Sequence, residues 1–150
     1  MIKIALDTNF LAYAEGVDDV PRRNRAVEII DKLSPERTVL PVQVLGELYN
    51  VLTRKAGQSV IQARERLAWW STTFPLTNTT SAILMTAVGL AATHRFKIWD
   101  AVVLSAASAA GCHLLLTEDM QDGFTWGGVT VVNPFADEPH PLLASVLAAK

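Results

Sequence analysis

A chain of 150 residues, 50% hydrophobic and 19% charged, is long enough for one packed core and too apolar to be disordered, so residues 1–150 are expected to form a single domain. The formal net charge of −2 excludes a broadly basic nucleic-acid footprint. No apolar run nears the ~20 residues of a membrane span, the amino terminus lacks a signal-peptide core, and a lone cysteine, Cys112, excludes an intrachain disulfide or a thiolate metal site, as expected of a protein of the reducing cytoplasm.

Ile2 to Leu6 is a short apolar run closed by the turn-like Asp7-Thr8-Asn9, the pattern of a buried strand. Asn24 to Leu33 has apolar residues at helical spacing before Ser34-Pro35, and Thr38 to Leu40 reads as a second strand. From Val42 to about Lys55, the residues Val44, Leu45, Leu48, Val51 and Leu52 share one helical face ahead of Gly57. Ser59 to Trp70 repeats that period, and Phe74 to Thr77 is a short strand candidate. Ser81 is expected to cap a helix reaching His94, and Asp100 to open another made of small and apolar residues that ends at Gly111. Leu114 to Leu116 and Val129 to Val132 complete the strands. Strands separated by helices predict an α/β domain, a parallel sheet with helices on both faces, and ligands at the carboxyl ends of its strands.

Crossover helices run back against their strands, so their first turns share that edge. Asp7 ends the first strand, Glu47 lies in the first turns of the helix after the second, Asp100 starts a late helix, and Asp119 follows the fourth strand. Singly, each has an ordinary explanation: a turn residue for Asp7, a cap for Asp100, a solvated flank for Glu47 and an exposed acidic turn for Asp119. Together they converge, and Asp7 and Asp100 are embedded in apolar sequence where a lone carboxylate is costly. A like-charged pair at ~4 Å costs on the order of 4 kcal/mol near a protein surface, so such a cluster requires protons or a cation. Oxygen donors without a His or Cys set select a hard ion, Mg²⁺ or Mn²⁺, which completes its shell with water and phosphate oxygens. The basic residues are also unevenly spread. From Arg54 to Lys97 there are six (Arg54, Lys55, Arg64, Arg66, Arg95 and Lys97) against the single acid Glu65, a stretch suited to a nucleic-acid phosphate backbone, for which Arg54, Lys55, Arg95 and Lys97 are the candidates.

The ordered set Leu6-Asp7-Thr8-Asn9, Gly46-Glu47-Leu48, Ile98-Trp99-Asp100-Ala101 and Leu115-Leu116-Thr117-Glu118-Asp119 resembles the PIN domain nucleases over essentially the whole chain. The resemblance implies a five-stranded parallel sheet in a three-layer fold and a metal-dependent endoribonuclease. Asp7, Glu47, Asp100 and Asp119 would form its acidic site, with Asp7, Asp100 and Asp119 on the metal and Asn9, Thr117 and Asp122 in support. It also implies a homodimer and, for stand-alone bacterial members of this size, the toxin of a toxin-antitoxin pair. Two alternatives remain at this point: a catalytically silent module of the same kind that binds RNA or protein, and a Mg²⁺-dependent phosphatase. The second would require Asp-x-Asp after the first strand, where this chain has Asp7-Thr8-Asn9.

Overall fold

The computed structural model describes residues 1–148. Three short apolar segments form its centre: β1 (Ile4–Leu6), β2 (Thr38–Pro41) and β4 (Leu114–Leu116). β1 lies between β2 and β4, parallel to both, with Ile4 opposite Thr38 and Leu6 opposite Leu116. Every residue of these strands is buried. Since successive side chains point to opposite faces, a strand buried throughout must be covered on both sides. β3 (Leu76–Thr77) extends the sheet beyond β2, and β6 (Val129–Val132) joins β4, again in parallel.

With β5 (Thr125–Trp126) at one edge, the sheet has six strands, in the order β3-β2-β1-β4-β6-β5, rather than the five expected. The addition is β5, which pairs antiparallel with β6. Gly127 and Gly128 join them with φ of +57° and +81°, the left-handed values that a two-residue hairpin turn needs and that glycine adopts without strain. A side chain at Gly127 would also collide with Ser108, whose Oγ lies 2.5 Å from the position of a Cβ. The two-residue segment ahead of the glycine pair is too short to show a strand period in the sequence.

Helices cover both faces. α1 (Thr8–Ala14) packs on α2 (Val20–Lys32) and α3 (Val42–Arg54), and α3 packs on α4 (Val60–Thr73); α5 (Ser81–His94) packs on α6 (Ile98–Ala109). α7 (Pro141–Ala148) buries Leu143 near the end of the chain. α1 and α7 are additions to the expected helices, because seven or eight residues are too few to display a helical period against a turn-like start. Three boundaries also move. α2 begins at Val20, where the Asp19 side chain accepts from Arg22 N–H, and Thr80 rather than Ser81 caps α5. α6 begins at Ile98, with Lys97 in the cap position, so Asp100 lies inside the first turn and is not the cap.

Candidate active site

The carboxyl end of β1 delivers Asp7 directly into the amino terminus of α1. Its backbone N–H donates to Leu116 O at 3.1 Å, continuing the β1–β4 pairing by one residue. Its side chain then caps α1, with Oδ1 accepting Thr8 N–H at 2.8 Å. Oδ2 accepts the Thr117 hydroxyl, also at 2.8 Å. Only 4% of Asp7 is exposed. Desolvation therefore dominates its titration and pushes its pKa up to about 7; the two hydrogen bonds work against this, and the negative charges of Asp100 and Glu47 add to it.

Thr117 directly follows β4 and is fully buried. Its hydroxyl proton goes to Asp7, while its oxygen accepts Asn9 Nδ2–H at 2.9 Å and the Asp119 backbone N–H at 3.1 Å. One hydroxyl thereby uses its single donor and both lone pairs. Asn9 reaches back as well, its Oδ1 accepting Glu118 N–H at 3.4 Å. Thus the loop carrying Asp119 is tied to the start of α1 by side chains that all meet at Thr117.

Glu47 and Asp100 complete the edge. Glu47 lies in the second turn of α3, half-buried, and accepts the Thr8 hydroxyl at 3.1 Å. Its pKa is raised, first by burial and then by Asp100 and Asp119, with Thr8 and Gln43 opposing. Asp100, in the first turn of α6, is raised by burial and by Asp119, while Lys97 pulls it down. The expected four acids thus lie within electrostatic reach of one another. Among the described residues, no Lys, Arg or His forms an ion pair with any of them.

The excess negative charge and the all-oxygen donor set fit a hard divalent cation. Among the described residues no three acidic, histidine or cysteine side chains converge closely enough to grip an ion alone. Beside the acids opens a cleft of about 460 Å³ whose walls include Thr8, Asn9, Tyr13, Glu47, Lys55 and Asp119. A larger cleft, about 630 Å³, lies at the opposite edge of the sheet between Ile2, Leu33, Thr38 and Val146, and holds none of these acids.

Asp122 has a different position from the other expected supports: it accepts the Asn133 backbone N–H at 2.8 Å and ties the loop ahead of β5 to the residue that follows β6. The basic stretch divides. Lys55 lines the cleft about two helical turns beyond Glu47 on α3, next to Arg54, whereas Arg95 and Lys97 lie in the connection from α5 to α6. All four are exposed. Arg66 is taken up elsewhere, in a two-pronged pair with Glu15 that also receives the Trp70 indole N–H at 3.0 Å.

Sequence reasoning passes over Thr8 and Glu118. Thr8 holds Glu47, and its position inside Asp7-Thr8-Asn9 is the available signal. Glu118, which falls with Asp122 in an acidic turn of the sequence, accepts the Tyr13 hydroxyl and pairs with Arg22 Nε at 2.9 Å, with only 17% of its side chain exposed. Nothing local in the sequence connects residues 13, 22 and 118.

The fold is similar to several solved structures. These include VapC20 of Mycobacterium tuberculosis, described as a toxin that cleaves the sarcin-ricin loop (22% identity, TM-score 0.66, covering 75% of this chain and 87% of that one). A toxin-antitoxin complex from Klebsiella pneumoniae aligns at 21% identity and TM-score 0.67, over 89% of this chain and 98% of the other. VapBC2 of Rickettsia felis, solved on a DNA fragment from its promoter, aligns at 17% and 0.62, over 87% and 97%. No curated protein matches the sequence at a significant level. The PIN domain model matches residues 4–121, from the first residue of β1 through the loop that carries Asp119, and the chain belongs to the PIN domain family.

Proposed function

We propose that this protein is a divalent-metal-dependent endoribonuclease and the toxin of a toxin-antitoxin pair. The observation that carries the reading is the group of four mutually repelling carboxylates, one of them buried, at the ligand-binding edge of a PIN domain sheet. Structural likeness to proteins described as toxins and toxin-antitoxin complexes supports it.

In this reading Asp7, Asp100 and Asp119 hold Mg²⁺ or Mn²⁺. When bound, the ion polarises the phosphodiester, lowers the pKa of the attacking water and offsets charge on the leaving oxygen. Glu47 orients that water and takes its proton, since a half-buried carboxylate with a raised pKa is a better base than an exposed one. Thr8 fixes the Glu47 carboxylate, while Thr117 and Asn9 fix Asp7 and the Asp119 loop. Lys55, with Arg54, Arg95 and Lys97, meets the RNA backbone. The protein would work in the cytoplasm, where Cys112 remains a buried free thiol.

Two partners follow. A cognate antitoxin would insert a basic side chain, best an Arg with its bidentate fit to carboxylate, where the cation otherwise acts. A second copy of the chain would cover the apolar face of α5, where Leu84, Met85 and Val88 are exposed.

The test is cleavage of structured and unstructured RNA by the purified chain with Mn²⁺, Mg²⁺ or EDTA. Cleavage that requires the cation and is lost in Asp7→Asn and Asp119→Asn is the expected result. A folded protein that cuts no RNA under any of these conditions would overturn the nuclease reading. Co-purification with the product of a neighbouring reading frame tests the antitoxin. Equal binding of that product to wild type and to an Asp7→Asn, Asp100→Asn double variant would place its contact elsewhere.

A further inference from the structure

Trp99 stands apart from the other tryptophans. Trp70 is buried and stacks on Phe74, Trp69 has the Arg66 guanidinium 4.9 Å above its ring, and Trp126 packs against the core. Trp99 is 51% exposed in the first turn of α6, and among the described residues its ring meets neither an aromatic nor a cationic partner. A large flat ring left half in water gives up burial free energy, and such rings are characteristic of recognition surfaces.

Its neighbours are arranged to match. From 95 to 100 the chain alternates between exposed residues, Arg95, Lys97 and Trp99, and partly buried ones, Phe96, Ile98 and Asp100. Phe96 turns inward against Phe124, ring centres 5.0 Å apart, and Ile98 packs on the core. Arg95 closes α5 in the left-handed conformation at φ +59°. Two cations and an indole are thereby presented outward on the segment that ends at Asp100.

We propose that Trp99 is a stacking platform for a nucleobase of single-stranded RNA next to the scissile phosphate, with Lys97 and Arg95 holding the adjoining phosphates. This deepens the nuclease reading and rests on it. A nucleic acid fits this surface better than a protein does because it repeats the pairing on offer, one π-face and one negative charge per unit. Stacking accepts any base, so the platform would place the strand beside Asp100 without specifying its sequence.

The experiment measures binding in EDTA, where cleavage is off. The probes are a labelled short oligoadenylate and a ribose-phosphate chain of equal length without bases. Trp99→Ala should weaken oligoadenylate binding roughly 5- to 150-fold and leave the baseless chain unchanged, with Trp99→Phe in between. Oligoadenylate should also quench the part of the indole fluorescence that Trp99→Phe removes, a readout that holds if the Ala variant misfolds. Equal losses on both probes, no loss on either, or a dimer that becomes monomeric on Trp99→Ala would each overturn the proposal. Cation-dependent cleavage indifferent to Trp99 would sink the platform alone. Trp99-dependent binding by a chain that never cleaves RNA would keep the platform and sink the nuclease.

Discussion

The Thr117 hydroxyl donates to Asp7 Oδ2 at 2.8 Å across a sequence separation of 110 residues. It joins the end of β4 to the end of β1 at the point where the buried carboxylate sits. Because the same oxygen receives Asn9 and the Asp119 backbone, its removal leaves several polar groups unpaired at once.

Thr117→Val, nearly the same in shape, should therefore destabilise the protein by about 1–3 kcal/mol, the cost of unpaired buried polar groups. It should also lower RNA cleavage by freeing the Asp119 loop, and Thr117→Ser should restore both. Denaturant unfolding of the three proteins checks this. Unchanged stability in the Val variant would mean that water replaces the hydroxyl.

Asp7 gives the stability curve a direction. Its folded pKa, about 7, lies above the ordinary value of 3.8, so between these pH values the folded state binds the extra proton. Its contribution is full below about pH 4, declines as pH rises, and is gone above about pH 7, at a slope of up to about 1.4 kcal/mol per pH unit. Asp7→Asn should remove this decline, leaving the cation-free variant at least as stable as wild type at pH 8. Melts from pH 4 to 8 with EDTA decide the matter. A variant much less stable at pH 8 would mean that the hydrogen bond from Thr117 to Asp7 Oδ2 outweighs the burial and repulsion of the charge.

A cation that binds only the folded form raises the melting point, by about 2.7 kcal/mol of added stability at a hundred times its Kd. Mn²⁺ at pH 8 should do so in wild type, far less in Asp7→Asn, and less at pH 5.5, where the ion must displace the Asp7 proton. Identical midpoints in EDTA and in saturating Mn²⁺ would remove the metal site.

Replacing Arg54, Lys55, Arg95 and Lys97 with Gln should flatten the salt dependence of RNA binding, by roughly 0.7 in slope for each phosphate of a single strand that is no longer neutralised. The Mn²⁺ melting shift should survive. If affinity and slope are both unaffected, the RNA runs over another surface.

The acids at the strand ends are legible in the sequence because each follows from local pattern plus one topological rule. An apolar run ending in Asp7, a helical period with Glu47 in its early turns and a strand just before Asp119 place those acids at one edge once the sheet is taken as parallel. The hairpin strand at Thr125–Trp126 and the seven residues of α1 are too short for any period to register. Tertiary structure alone decided how strongly the acids interact. That depends on burial, which raises Asp7 to about 7, and on contacts between distant segments such as Thr8 with Glu47 and Glu118 with Tyr13 and Arg22. It also decided which cations remain in solvent: Arg66 is taken by Glu15 while Arg95 and Lys97 stay exposed beside Trp99. Periodicity reports the face a residue occupies on its own element. The partner across that face belongs to another element, and only the packed chain brings the two together.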